Sequence, residues 1–177
     1  MQSCNQSSNQ TIYEHGIAVR DKLFELINSQ NLSQWRIPNW FNEHKDKLFS
    51  NLYDWEILET YTTFHDCGKP YCRTVDENGK QHFPNHANTS ADKWLEVDGS
   101  NIIANLIRND MMVHTMKSSD IEEFCKDPKM ACSLLLTALA EIHANSILFG
   151  GIESVSFKIK WKQIDKIGKK ICSTIVV

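Results

Sequence analysis

Phe64-His65-Asp66-Cys67-Gly68-Lys69-Pro70 closes a segment of helical periodicity and carries the densest chemistry of the chain. Upstream of it, Trp55, Ile57, Leu58 and Tyr61 recur at helical spacing and lead to His65. Gly68 and Pro70 then end the pattern. An imidazole beside a carboxylate at a helix end can grip a metal ion, and the carboxylate keeps a second oxygen for another ion. A His-Asp pair alone arises often by chance, so its weight comes from what surrounds it.

Outward from this run the chain reads as helices joined by loops. Before it, Ile12, Val19, Leu23 and Leu26 form an apolar stripe from Thr11 onward, and His15 falls on the same stripe. A further helical region begins near Asn42, after Pro38. After the run, Pro84 suits the first turn of a helix carrying His86, Ser90 and Trp94. A helix from Ile102 to about His114 turns Ile103, Leu106, Ile107 and Asp110 inward, and Asp110 and His114 share a face at i and i+4. Leu134, Ala138 and Glu141 mark one face of another helix, ending near Gly150-Gly151. Each of His15, His65, Asp110 and Glu141 has a plain account as a buried polar group with one hydrogen bond. Carboxylates are rarely buried without a cation or donor. One divalent ion held between helices accounts for all four together. His44 and His82 lie in polar surroundings and read as solvated; His143 falls off the Glu141 face and reads as structural or surface.

Length and composition bound the answer. A chain of 177 residues, 41% hydrophobic and 23% charged, is expected to be one globular domain. Residues 1–10 read as a flexible N-terminus and 11–177 as the domain. No apolar run is long enough for a bilayer, and the N-terminus lacks the basic start and apolar core of a secretory signal. The expected location is therefore cytoplasmic, with no membrane partner. Six cysteines without Cys-x-x-Cys spacing read as reduced thiols, with Cys67 and Cys72 as small apolar fillers. Asp76-Glu77-Asn78-Gly79-Lys80 is turn chemistry. The fold class is all-α, with a short β element near the C-terminus where Val155, Phe157, Ile159 and Trp161 alternate with polar residues. Gln163 to Lys170 reads as helix, and Ile175-Val176-Val177 as a strand or a frayed tail. A net charge of −3 argues for no nucleic acid globally. Lys158, Lys160, Lys162, Lys166, Lys169 and Lys170 interleave with Phe157, Ile159 and Trp161, which suits a nucleic-acid surface. An amphipathic strand with a solvated lysine face is the plainer account of them.

The order His15, His65-Asp66 and a later carboxylate resembles the HD-domain metal-dependent phosphohydrolases. It is most similar to the HD domains of tRNA nucleotidyltransferases, and a related run occurs in RNA-end-healing enzymes. Those domains carry His-Asp-Ile-Gly-Lys-Pro, an acidic-Gly turn, then Phe-Tyr-Gly-His-Glu. Here the matching stretches are His65-Asp66-Cys67-Gly68-Lys69-Pro70, Asp76-Glu77-Asn78-Gly79 and Phe83-Pro84-Asn85-His86-Ala87. The likeness covers roughly residues 11–146. It departs where the family has Ala-Asp and this chain has Ala140-Glu141, where a family histidine is replaced by Asp110, and where Ala87 replaces a Glu.

The resemblance implies a helical HD-domain bundle and one or two divalent ions, from among Mn, Mg, Ni, Co, Fe and Zn. His15, His65, Asp66 and Glu141 would hold the first ion. His86, Asp110 and His114 would hold the second, with Asp66 bridging. Replacement of a histidine by Asp110 makes that second site richer in oxygen and favours Mn or Mg. Asp66, Lys69 and His86 would be catalytic, and Lys69, Arg73 and Arg108 would meet substrate phosphate. The implied activity is hydrolysis, by metal-activated water, of phosphate mono- or diesters on a nucleotide or an RNA end (2′, 3′ or cyclic phosphate). The module would act alone or beside a separate partner enzyme. The alternative, suggested by Glu141 and Asp110, is a catalytically degenerate nucleotide- or RNA-binding module with a structural metal.

Overall fold

The computed structural model describes residues 1–7, 10–97 and 99–175. The fold is all-α, with two small antiparallel strand pairs. In chain order the elements are β1 (Asn5–Ser7), β2 (Gln10–Thr11), α1 (Ile12–Ile27), α2 (Asn39–Glu43), α3 (Lys45–Ser50), α4 (Trp55–Phe64) and α5 (Lys69–Cys72). There follow β3 (Thr74–Val75), β4 (Gln81–His82), α6 (His86–Val97), α7 (Asn101–Arg108), α8 (Met112–Thr115), α9 (Ile121–Phe124), α10 (Pro128–Ala144) and α11 (Val155–Ile175). Two compact units arise: Met1–Ala18 with Trp55–Met111, and Val19–Asp54 with Met112–Val177.

In the first unit, α7 packs on α4 and on α6, and α5 packs on α6. Ile12, Leu58, Tyr61, Ala91, Leu106 and Ile107 are buried there. Two glycines set how closely its backbones approach. A Cβ on Gly16 would lie 2.1 Å from the Thr63 carbonyl oxygen, so α1 and α4 meet backbone to backbone. A Cβ on Gly68 would lie 2.3 Å from Ser90 N, and the Gly68 N–H donates to Ser90 Oγ at 2.9 Å. The Asp76–Lys80 turn joins β3 to β4. Asp76 Oδ1 accepts from the N–H groups of Asn78 and Lys80, and Gly79 takes the positive φ of 78°. Of the N-terminal residues expected to be loose, several among the described ones make contacts. β1 pairs with β2, Ile12 N–H donates to Cys4 O, and Gln6 Oε1 accepts from Lys69 Nζ at 2.9 Å.

In the second unit, α10 is buried on nearly every side, from Ala131 to Ala140. Pro128 opens it, and the Asp127 side chain accepts from Met130 N–H, supplying the N-cap. α11 packs on α10, and α2, α8 and α9 pack on α11.

Three expectations are corrected. The β element near the C-terminus is the start of a 21-residue helix. Phe157, Ile164, Ile167, Gly168, Ile171 and Cys172 are its buried stripe, whereas Val155 and Ile159 are exposed, so the alternation was a short coincidence within a period of 3.6. Val176 and Val177, in the tail read as strand or frayed end, lie outside the described residues. The helix expected from Ile102 to His114 breaks into α7 and α8, with Asn109 as C-cap, so Asp110 and His114 do not share a helix face. α10 ends at Ala144, ahead of the Gly150-Gly151 pair.

His143 is buried and neutral by construction. Its Nδ1–H donates to Leu139 O at 2.8 Å, and Nε2 accepts the Arg36 N–H at 3.1 Å. The Trp35 ring stacks on it at 4.2 Å. Burial pushes its pKa from the usual 6.5 down to about 4. Below the unfolded pKa the unfolded chain therefore binds a proton that the folded chain refuses, and stability falls with falling pH. A loss of about 3 kcal/mol is expected between pH 6.5 and 4, absent in His143→Phe. Urea denaturation across that range would check it: equal pH slopes for the two chains would exclude His143 as the source.

Candidate metal centre

Within the first unit, α1 and the turn after α4 bring three buried ligands together. His15 is 0% exposed, His65 2% and Asp66 1%. One ligand atom from each lies within 4.8 Å of the others. His15 Nε2 is 3.7 Å and His65 Nε2 3.3 Å from Asp66 Oδ2. The two imidazoles are 5.3 Å apart between centroids.

Tautomers follow from the backbone. His65 Nδ1 lies 2.7 Å from the Thr62 carbonyl oxygen, which can only accept, so Nδ1 carries the hydrogen. With Nδ1 so engaged, Nε2 is the ring nitrogen turned toward the Asp66 carboxylate, 3.3 Å from its Oδ2. An imidazole nitrogen and a carboxylate oxygen this close in a buried site can share a proton or hold a metal ion. His86 repeats the arrangement. Its Nδ1 donates to Phe83 O at 3.1 Å, and its Nε2 is 3.7 Å from Asp66 Oδ1. Among the described residues Asp66 Oδ1 accepts no hydrogen bond. Such an orphaned oxygen, with the His86 ring nitrogen 3.7 Å away and two more imidazoles against the other oxygen of the same carboxylate, fits a divalent ion.

Lys69 adds a fixed cation. It is 7% exposed, and its Nζ lies 2.6 Å from Asp66 Oδ2 and 5.4 Å over the Phe83 ring. Burial pushes the Asp66 carboxyl up, but the charges of His65, Lys69 and His15 outweigh it and hold the group well below the usual carboxylate range. Asp66 is therefore an anion at neutral pH, as a metal ligand must be.

The other expected site residues have partners of their own. Asp110 is buried in the first unit, and the Tyr61 hydroxyl donates to its Oδ1. Glu141 and His114 belong to the second unit, where they pair with each other at 3.0 Å. Arg108 is paired with Asp92 at 2.6 Å, and Arg73 donates to Gln81 on β4. All six cysteines are free, and burial followed by the Asp66 charge pushes the Cys67 thiol up to about 11. Three positioning residues had been passed over: Thr62, Gln6 and Tyr61. Tyr61 alone had a signal, since it stands four residues before His65 on the same helical face.

No family model, no curated protein and no solved structure matches the chain.

Proposed function

We propose that this protein is a metal-dependent phosphohydrolase acting on phosphate mono- or diesters of a nucleotide or an RNA end, with His15, His65 and Asp66 as the metal ligands. The observation that carries the reading is the buried His65 Nε2 aimed at Asp66 by the Thr62 carbonyl. His86, 20% exposed beside Asp66 Oδ1, is placed to join the ligands or to exchange a proton with substrate. A bound divalent ion would supply Lewis-acid polarisation of a phosphoryl oxygen and a water of lowered pKa. Two imidazoles and one carboxylate form a borderline donor set, which suits Mn, Fe, Co, Ni or Zn better than Mg. The oxygen-rich second site that favoured Mn or Mg draws on Asp110, which Tyr61 bonds, and on His114, which pairs with Glu141.

The test is elemental analysis of the purified chain, with a screen of phosphomonoesters, cyclic phosphates and phosphodiesters under each metal. About one transition-metal ion per chain and metal-dependent release of phosphate are expected. A chain that takes up no metal and hydrolyses nothing after reconstitution would overturn the reading.

One observation favours a second reading. The Lys69 ammonium already neutralises Asp66 at 2.6 Å, as it would in a catalytically degenerate nucleotide- or RNA-binding module. Lys69→Ala separates the two. As a phosphate-binding group, its loss leaves metal content unchanged and lowers the rate roughly ten- to a hundredfold, the worth of a charge-assisted contact. As a counter-ion, its loss frees Asp66 and raises metal affinity instead. Metal titration alongside steady-state kinetics reads both.

A further inference from the structure

α11 buries one side and leaves the other open. Successive residues turn about 100° around a helix, which puts Val155, Ile159, Lys162, Lys166, Lys169 and Lys170 on one face, opposite Ile164 and Ile171. All six are exposed. Val155 is 74% and Ile159 65% exposed, and the turn before the helix adds Ile147 at 87% and Leu148 at 52%. That turn is built against the helix start. Gly151 N–H donates to Ser146 O at 2.7 Å, Gly150 and Gly151 take positive φ, and Lys160 Nζ sits 5.3 Å over the Phe149 ring. Exposed aliphatic side chains in the turn and at the helix start thus precede a cationic stripe.

The charge is one-sided. α11 carries Lys158, Lys160, Lys162, Lys166, Lys169 and Lys170 against Asp165 alone, in a chain of net charge −3. Lys169 pairs with Asp165, and Lys158 with Glu153. Lys162, Lys166 and Lys170, at i, i+4 and i+8, have no ion-pair partner among the described residues.

We propose that this face docks the protein on an anionic membrane surface, with Ile147, Leu148, Val155 and Ile159 entering the headgroup boundary and the lysines meeting anionic headgroups. Clustered lysines beside exposed aliphatic side chains are the two parts of such a surface. A nucleic acid fits it less well. Bases need aromatic faces to stack on. Phe157 is buried, while Trp161 has the Arg36 guanidinium 4.8 Å over its ring and donates its indole N–H to Arg36 O. The aliphatic side chains give bases nothing to stack on. No helix of the described residues is long and apolar enough to cross a membrane, so the contact is a surface one. The proposal stands apart from the metal centre.

The test is co-sedimentation of the full chain with vesicles of phosphatidylcholine, alone or with about a third phosphatidylserine. Retention on the anionic vesicles only is expected. Charge reversal at Lys162→Glu, Lys166→Glu and Lys170→Glu should lower partitioning roughly a hundredfold while leaving thermal melting unchanged. Ile147→Ser with Ile159→Ser should remove the part of the retention that survives high salt. No retention on anionic vesicles, or retention indifferent to the charge reversal, would overturn the proposal. So would tighter binding to a single-stranded RNA oligomer that displaces the vesicles. A concentration-dependent dimer abolished by the serine variants would instead make a second copy the occupant, and overturn it too.

Discussion

On the proposed function, Asp66→Ala is expected to abolish metal uptake and to lower hydrolysis by roughly a thousandfold or more, because it removes the carboxylate on which the other site groups converge. Asp66 Oδ2 lies within 3.7 Å of His15 Nε2, His65 Nε2 and Lys69 Nζ, and Oδ1 within 3.7 Å of His86 Nε2. The same substitution has a second consequence. Lys69, 7% exposed, would keep among the described residues only Gln6 Oε1 as a polar partner. An uncompensated buried charge costs about 3–5 kcal/mol. The single variant should therefore melt well below the parent chain. Asp66→Ala with Lys69→Met removes both charges, and most of the stability should return while metal and activity stay absent. The pair of variants separates loss of the site from loss of the fold. Asp66→Ala that still binds metal stoichiometrically and turns over substrate would exclude Asp66 as a ligand.

What could be read without a structure divides along the range of the interactions. Periodicity is local, so the stripe of Ile12, Val19, Leu23 and Leu26, and with it the inward placement of His15, was legible. The His65-Asp66 turn was legible because Gly68 and Pro70 punctuate it. The partner of a buried polar group is a long-range matter. That Tyr61 bonds Asp110 across 49 residues, or that His114 bonds Glu141 across 27, leaves no trace in spacing. Both carboxylates were expected to need a cation or a donor, and each has a donor in reach, a phenol for Asp110 and an imidazole for Glu141. The lysine-rich segment failed for a different reason. Four alternating residues from Val155 to Trp161 fit a strand, and only the longer window through Ile171 shows the helical period. Gln6 lay in a polar stretch whose composition suggests looseness, and a single hydrogen bond to a buried lysine overrides composition.

Gly16→Ala is expected to disturb the metal centre without touching a ligand. The new Cβ would fall 2.1 Å from the Thr63 carbonyl oxygen, 2.8 Å from its carbon and 3.2 Å from the Thr62 oxygen. All three are backbone atoms of α4, so no rotamer change relieves the clash and the helices must part. Overpacking of this kind costs about 1–3 kcal/mol where side chains can yield, and more where only backbone can move. The displaced Thr62 oxygen is also the one that fixes the His65 tautomer. Separation of α1 from α4 draws His15 away from His65 and releases that hydrogen bond in a single movement. A fall in metal affinity should accompany the fall in melting temperature. Gly79→Ala is the comparison. It has open space around its Cβ and a φ of 78°, so it should cost only about 1 kcal/mol of backbone strain and leave metal binding intact. Metal titration by calorimetry on both variants, at a temperature where each is folded, decides the matter. Parent-like affinity in Gly16→Ala would show that the approach of α1 to α4 serves stability alone. Weakened affinity in a folded Gly16→Ala chain would show that a residue with no side chain sets the spacing of the ligands.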